Sequence, residues 1–223
     1  MRIGLLTITL MCAFASVGFG DVVGNSNGDG GSIPDNDSGG YVSTVTITDS
    51  EIIQDASFSI EGLDHSWIGD LIISVTHSTS GKSALLMHRV GTTSNPNSVG
   101  DSSDVNGTYT FQDGNASIWS EAANGDTDYV VTPGTYDASG VNEAVVNLNS
   151  IFGGEVTNGD WVFNISDNNA TQSGTFFQTS VSFVSAIPEP GAMATLIVGT
   201  LFGGIYLRRR YHQQKTVSAA ESV

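Results

Sequence analysis

The chain has 223 residues, with 23 Asp and Glu against seven Lys and Arg, and a formal net charge of −16. That length accommodates one domain of ordinary size, and the shortage of cations excludes a nucleic acid partner, which is a polyanion held by Lys and Arg. The one cysteine, Cys12, lies in an N-terminal apolar run; once that run is removed, disulfides, cysteine zinc sites and cysteine nucleophiles are excluded as well.

Residues 1–20 carry Arg2, an apolar stretch through Val17 and small residues at Gly18 and Gly20. This is the layout of a secretory signal peptide, with cleavage expected after Gly20. Residues 21–32 are rich in Gly, Asp, Asn and Ser and are expected to be a linker, because they offer little to bury. From Tyr41 onward, apolar and polar residues alternate. VSTVTIT, SFSI, DLIISVTH, SALLMHR, TYTF, AVVNL, WVFNIS and TFFQTSVSFV follow one another between Gly, Asn, Asp and Ser clusters. Leu71, Ile73 and Val75 share a face, as do Trp161, Phe163 and Ile165; Phe177, Val181 and Phe183 are expected to line up opposite Gln178, Ser180 and Ser182. Period-two alternation suits half-buried antiparallel strands, and a series of short strands without helical periodicity predicts an all-β sandwich over residues 33–184.

A short linker at 185–190 ends in Pro188-Glu189-Pro190. The apolar run GAMATLIVGTLFGGIYL (191–207) follows, and then a basic tail (208–223) headed by Arg208-Arg209-Arg210. At about 1.5 Å per residue the run makes a helix of roughly 26 Å, close to the hydrocarbon thickness of about 30 Å. The arginines place the tail in the cytoplasm and everything before it outside, giving a single-pass precursor in the inner membrane. Taken together, residues 187–210 resemble the PEP-CTERM sorting signal of certain Gram-negative bacteria. The resemblance implies recognition by an exosortase-type membrane protease, cleavage near Pro188–Pro190, and delivery to the cell surface or exopolysaccharide matrix. The tail beyond the arginines is longer than such signals usually carry, and a plain transmembrane anchor is the alternative reading.

The order of motifs between the two ends resembles the P/Homo B domain that follows the catalytic domain of subtilisin-like proprotein convertases. Ile33-Pro34-Asp35-Asn36 is similar to its opening, and LDHSWIGDLIISVTHSTSG (63–81) to its central signature, with His65 ahead of Gly69-Asp70-Leu71. YTFQD (109–113), Pro133-Gly134-Thr135-Tyr136 and the segment containing Gly159-Asp160-Trp161 match later elements, and Gly174–Val184 matches the closing strand. The turn at 76–81 lacks the proline common in that family. The resemblance implies a jelly-roll β-sandwich of the galactose-binding type.

A protease is not expected. The chain has no room for a subtilisin-type catalytic domain, the G-x-S-x-G elbow is absent, and no Ser, His and acid can be assembled from the motifs. His65 reads as a hydrogen-bonded turn residue beside Trp67, while His77 and His88 end strands and are expected at the rim; their spacing does not suit zinc. Asn25, Asn27 and Asp29 mimic half of an EF-type loop but lack its final Glu. Calcium is the cofactor considered. Asp35 and Asp37 at the module opening, with Asp70, Asp113 and Asp167 from strand ends, would supply carboxylate oxygens to a hard cation; the competing reading is that these side chains cap their own turns. Trp161 is expected in the core, and Trp67 and Trp119 near loops, where an exposed ring would stack on a sugar. The resulting expectation is a non-catalytic surface protein whose sandwich binds matrix polysaccharide or a surface protein. The alternative is an accessory module that stabilises a serine-type endopeptidase.

Overall fold

The computed structural model describes residues 22–92, 99–123 and 129–185. Residues 1–20, read above as a signal peptide, Pro188-Glu189-Pro190, the apolar run 191–207 and Arg208–Arg210 lie outside the described residues. Among those described, no helix is long and apolar enough to cross a membrane.

The described residues form eleven strands and two short helices in chain order: β1 (Val22–Ile33), β2 (Asp37–Ile47), β3 (Ile53–His65), β4 (Leu71–His77), β5 (Ser83–His88), β6 (Asp104–Ser117), α1 (Ile118–Ala122), β7 (Val130–Val131), β8 (Gly134–Ser139), β9 (Val145–Val146), α2 (Leu148–Phe152), β10 (Gly159–Asp167) and β11 (Gly174–Ser185). They form two sheets. The larger runs β1-β11-β3-β6-β8-β9 with β7 beside β6, and the smaller runs β2-β10-β4-β5. Pairings are antiparallel except where β6 meets β7 and β8. The expected β-sandwich is the observed architecture.

The core lies between the sheets. Phe58 of β3 sits 5.5 Å from Trp161 and 6.1 Å from Phe163, both of β10, and 6.1 Å from Phe183 of β11. Phe152 of α2 closes the cluster at 5.4 Å. Both sheets thus contribute to one aromatic centre, and the tilted and edge-on ring contacts add to the area they bury. Leu71, Ile73 and Val75 are buried as their alternation predicts, and so are Trp161, Phe163 and Ile165.

Two sequence expectations are corrected. Residues 22–32, expected as a linker, instead belong to the edge strand β1, which pairs along β11 from Val22 opposite Val184 to Ile33 opposite Gly174. Backbone hydrogen bonds hold a strand that has little side chain to bury, and small residues let it lie close. A Cβ on Gly28 would meet Ser43 Oγ at 2.5 Å and Thr179 Oγ1 at 2.6 Å. Those hydroxyls bond each other at 2.8 Å, and Ser43 donates on to the carbonyl of Asp29 at 2.7 Å.

The second correction concerns Phe177, which does not line up with Val181 and Phe183. Inward residues are Phe176, then Thr179, Val181 and Phe183, while Phe177 and Gln178 both face outward. The same one-residue slip occurs in β3, where Ile60 and Leu63 are buried and Glu61 and Gly62 are not. In β1 it falls at Gly30–Gly31. Because three neighbouring strands slip at one level, β11 keeps register with β1 and β3 there, and the irregularity surfaces only between β3 and β6 at Ile60/Leu63. A bulge of this kind bends a strand and re-aims its side chains.

Candidate functional site

Of the signature residues, His65, Gly69, Asp70 and Leu71 gather at one end of the sandwich with Asp167, while Gly159 and Trp161 lie at the other end of β10, opposite His77. His65 closes β3, Asp167 closes β10, and Asp70 ends the single 3₁₀ turn Ile68–Asp70 that leads into β4. All three are buried. His65 Nδ1 accepts the Trp67 backbone N–H at 3.0 Å. An accepting Nδ1 carries no proton, so the ring proton sits on Nε2 and is donated to Asp167 Oδ2 at 3.2 Å. The other oxygen of Asp167 accepts the Asn169 backbone N–H at 3.0 Å. Asp70 differs: both its carboxylate oxygens are buried without a hydrogen bond. Burial, reinforced by the Asp167 charge, pushes its carboxyl up to about 6.

Glycine makes this corner possible. A Cβ on Gly69 would meet Asp101 N at 2.6 Å and Val99 O at 2.7 Å. The turn docks there through Ile68 N–H to Ser103 O and Gly69 N–H to Asp101 O, at 2.8 and 3.0 Å. Leu71 fills the core beneath. Arg89, just after β5, donates through Nε to the Gly69 carbonyl at 3.1 Å.

The aspartates considered for calcium do not form one ligand set. Asp113 lies against α2, and its two oxygens accept the N–H groups of Leu148 and Asn149, each at 2.8 Å. Asp37 accepts from Gly39 N–H at 2.8 Å, and Asp35 from Thr171 N–H at 3.1 Å. Asp113 is thus set apart, while Asp37 is the register partner of Asp167 across β2 and β10 and Asp167 in turn pairs with Leu71, next to Asp70. Among the described residues no three His, Cys, Asp or Glu side chains come together to hold a metal ion.

His77 is not a rim residue. It is fully buried, with its ring stacked on Trp161 at 4.2 Å and 9°. Nε2 donates to the Asn158 carbonyl at 3.0 Å, and Nδ1 accepts from Ser80 at 3.0 Å. Gly159, at φ +131°, is required beside it, since a Cβ would meet Thr79 Oγ1 at 2.2 Å and His77 Nε2 at 3.0 Å. His77 shares the parity of Leu71, Ile73 and Val75, so alternation alone pointed inward. His88 is half-buried, and desolvation of its ring lowers its basicity.

Of the tryptophans considered for sugar stacking, Trp119 lies in α1, nearly closed off, with its Nε1 donating to Ser139 at 3.2 Å. Trp67 is half-buried and donates to the Val99 carbonyl at 2.8 Å. Among the described residues the aromatic presented to solvent is Phe177, 73 % exposed, which period-two counting had placed inside. On one side Gly30 packs against its backbone; on the other stands Gly62, at φ +61°. Neither neighbour has a side chain to cover the ring. Beside it, Glu61 accepts from Gln178 at 2.6 Å and Ser180 at 2.9 Å.

No family profile and no curated protein matches the sequence. Among solved structures, the chain is similar to the Aeromonas sobria serine protease in complex with its chaperone, at 14 % identity and a TM-score of 0.41, over 71 % of this chain and 25 % of that one. A second structure of the Aeromonas sobria serine protease gives 14 % identity and a TM-score of 0.40, over 70 % and 25 %. The chain therefore spans about a quarter of the length of the structures it matches.

Proposed function

We propose that this chain is a non-catalytic binding module, exported and sorted to the cell surface or exopolysaccharide matrix of a Gram-negative bacterium, where its sandwich holds polysaccharide. The observation that carries this reading is the distribution of chemical groups. His65, His77, Asp70 and Asp167 are sealed inside, and a buried group cannot meet a substrate. The outward face around the slip carries an uncovered Phe177 beside Glu61, Gln178 and Ser180. An aromatic face with hydroxyl, amide and carboxylate neighbours suits a neutral sugar ring, which offers C–H to the ring and O–H to the rim. The residue-level resemblance to P/Homo B and PEP-CTERM signals supports the placement outside the cell.

Co-sedimentation of the purified protein with matrix polysaccharide from its own cells tests the reading. Wild type is expected in the pellet, with Phe177→Ala weakened about five- to tenfold, the equivalent of roughly 1 kcal/mol of stacking. Failure to sediment, with a serine endopeptidase co-purifying instead, would replace it with the accessory reading. Peptidase activity of the protein alone would overturn both.

A further inference from the structure

Phe177 stands in a lane that runs across the strands of the larger sheet. The slip sets its floor. Gly30 of β1 packs against the Phe177 backbone on one side, and on the other a Cβ on Gly62 of β3 would meet Phe177 Cβ at 3.0 Å. Two rows of polar residues wall the lane, each in lateral register from strand to strand. On one side Asp29, Gln178 and Glu61 are consecutive partners across β1, β11 and β3. On the other, Ser32, Thr175, Asp64 and Asn106 are consecutive partners across β1, β11, β3 and β6, and all four are exposed. Thr175 and Gln178 are three residues apart on β11, which sets the walls about 10 Å from each other. Neighbouring strands lie about 4.8 Å apart, so the four-strand wall is roughly 14 Å long.

Charge and shape select the occupant. The walls carry Asp29, Glu61 and Asp64 and no cation. Among the described residues the cations are Lys82 and Arg89, which flank β5 of the smaller sheet. A polyanion is therefore repelled. A protein partner would ask for an apolar centre to its patch, and no wall residue is aliphatic. An uncharged sugar chain suits the lane, with C–H groups for the aromatic ring and hydroxyls for the amide, hydroxyl and carboxylate groups on either side. The strand spacing is close to the length of one pyranose unit, so successive units fall on successive strands. A lane running straight across the strands takes a chain that stays extended, as equatorially 1,4-linked pyranoses do, and not one whose axial linkages make it coil.

Building on the binding reading above, we infer that this lane holds an internal run of about three units of an extended, uncharged, β-1,4-linked polysaccharide, one unit stacked on Phe177 and the others lying across the neighbouring strands. The ligand is then the body of a chain rather than its end or a single sugar.

Calorimetric titration of the full chain, in a detergent without a sugar headgroup, tests the lane with oligosaccharides of defined length. Cellohexaose is expected to bind about tenfold more tightly than cellobiose, because it spans the walls as well as the ring. Maltohexaose has the same composition in a coiled chain, and a β-1,4-linked mannuronate hexamer has the extended shape with negative charge. Each is expected to bind at least about tenfold more weakly than cellohexaose. Asn106→Ala, an exposed change two strands from Phe177, is expected to cut the gain of cellohexaose over cellobiose about two- to threefold. Equal affinities for the two cello-oligosaccharides overturn the lane, as does either control hexamer binding as well as cellohexaose. An undiminished gain in Asn106→Ala overturns it too, and so does a cellohexaose that does not bind. In all these cases continued sedimentation with matrix polysaccharide leaves the binding reading standing and removes only the lane; loss of both cellohexaose and matrix binding removes the two together.

Discussion

Asp113 shows how one carboxylate can be spent on local structure. α2 has five residues, Leu148–Phe152, too few to persist alone. Its first turn is held from outside, by both Asp113 oxygens, and from within, by Asn147 Oδ1 accepting the Ser150 N–H at 2.6 Å. Two charge-assisted bonds of this kind are worth about 3–6 kcal/mol together. Asp113→Ala is expected to lose that much in urea unfolding, and calcium should not stabilise the wild type through this carboxylate, since its oxygens are already engaged by backbone donors. Sequence reading placed this acid among ligand candidates because a strand-end Asp looks the same whether it caps a helix across the fold or binds an ion. His77 is the converse case. Its parity gave its direction, but its polarity argued for the rim; the Asn158 carbonyl and Ser80 hydroxyl that satisfy it come from two separate turns.

At the scale of elements, the slip across β1, β11 and β3 is the device that exposes Phe177. Each strand contributes a local cause: Gly30-Gly31 in β1, Gly62 in a left-handed conformation in β3, and the consecutive Phe176-Phe177 in β11. A Cβ at Gly30 would stand 2.0 Å from the Phe177 carbonyl oxygen. Gly30→Val is therefore expected to push β1 off β11, destabilising the protein by about 3 kcal/mol or more. Amide exchange along β11 should rise with it, while exchange along β4 and β10 of the other sheet should not. An unchanged β11 profile would mean that the edge strand is dispensable.

For the molecule as a whole, the two sheets are joined at Phe58, which touches aromatic rings from β10, β11 and α2. Removing a fully buried ring loses its transfer free energy and leaves a cavity, typically about 3–5 kcal/mol. Phe58→Ala is expected to lower the Tm accordingly while keeping one cooperative transition, because β3 and β10 share this centre and cannot unfold separately. Two transitions in calorimetry would show that the sheets are independent.

The sequence by itself determined the sandwich and most of its interior. Alternation depends only on the two-residue repeat of an extended chain, and Leu71, Ile73, Val75, Trp161, Phe163 and Ile165 face inward for that reason. Tertiary structure alone decided that residues 22–33 form a strand, since a glycine-rich segment is held there by a partner more than 140 positions away. It also decided that Phe177 faces out, because the slip is a property of three strands moving together. The same holds for the separation of Asp113 from Asp37, Asp70 and Asp167. A carboxylate's role is set by which donors reach it, and those donors come from parts of the chain that only folding brings near.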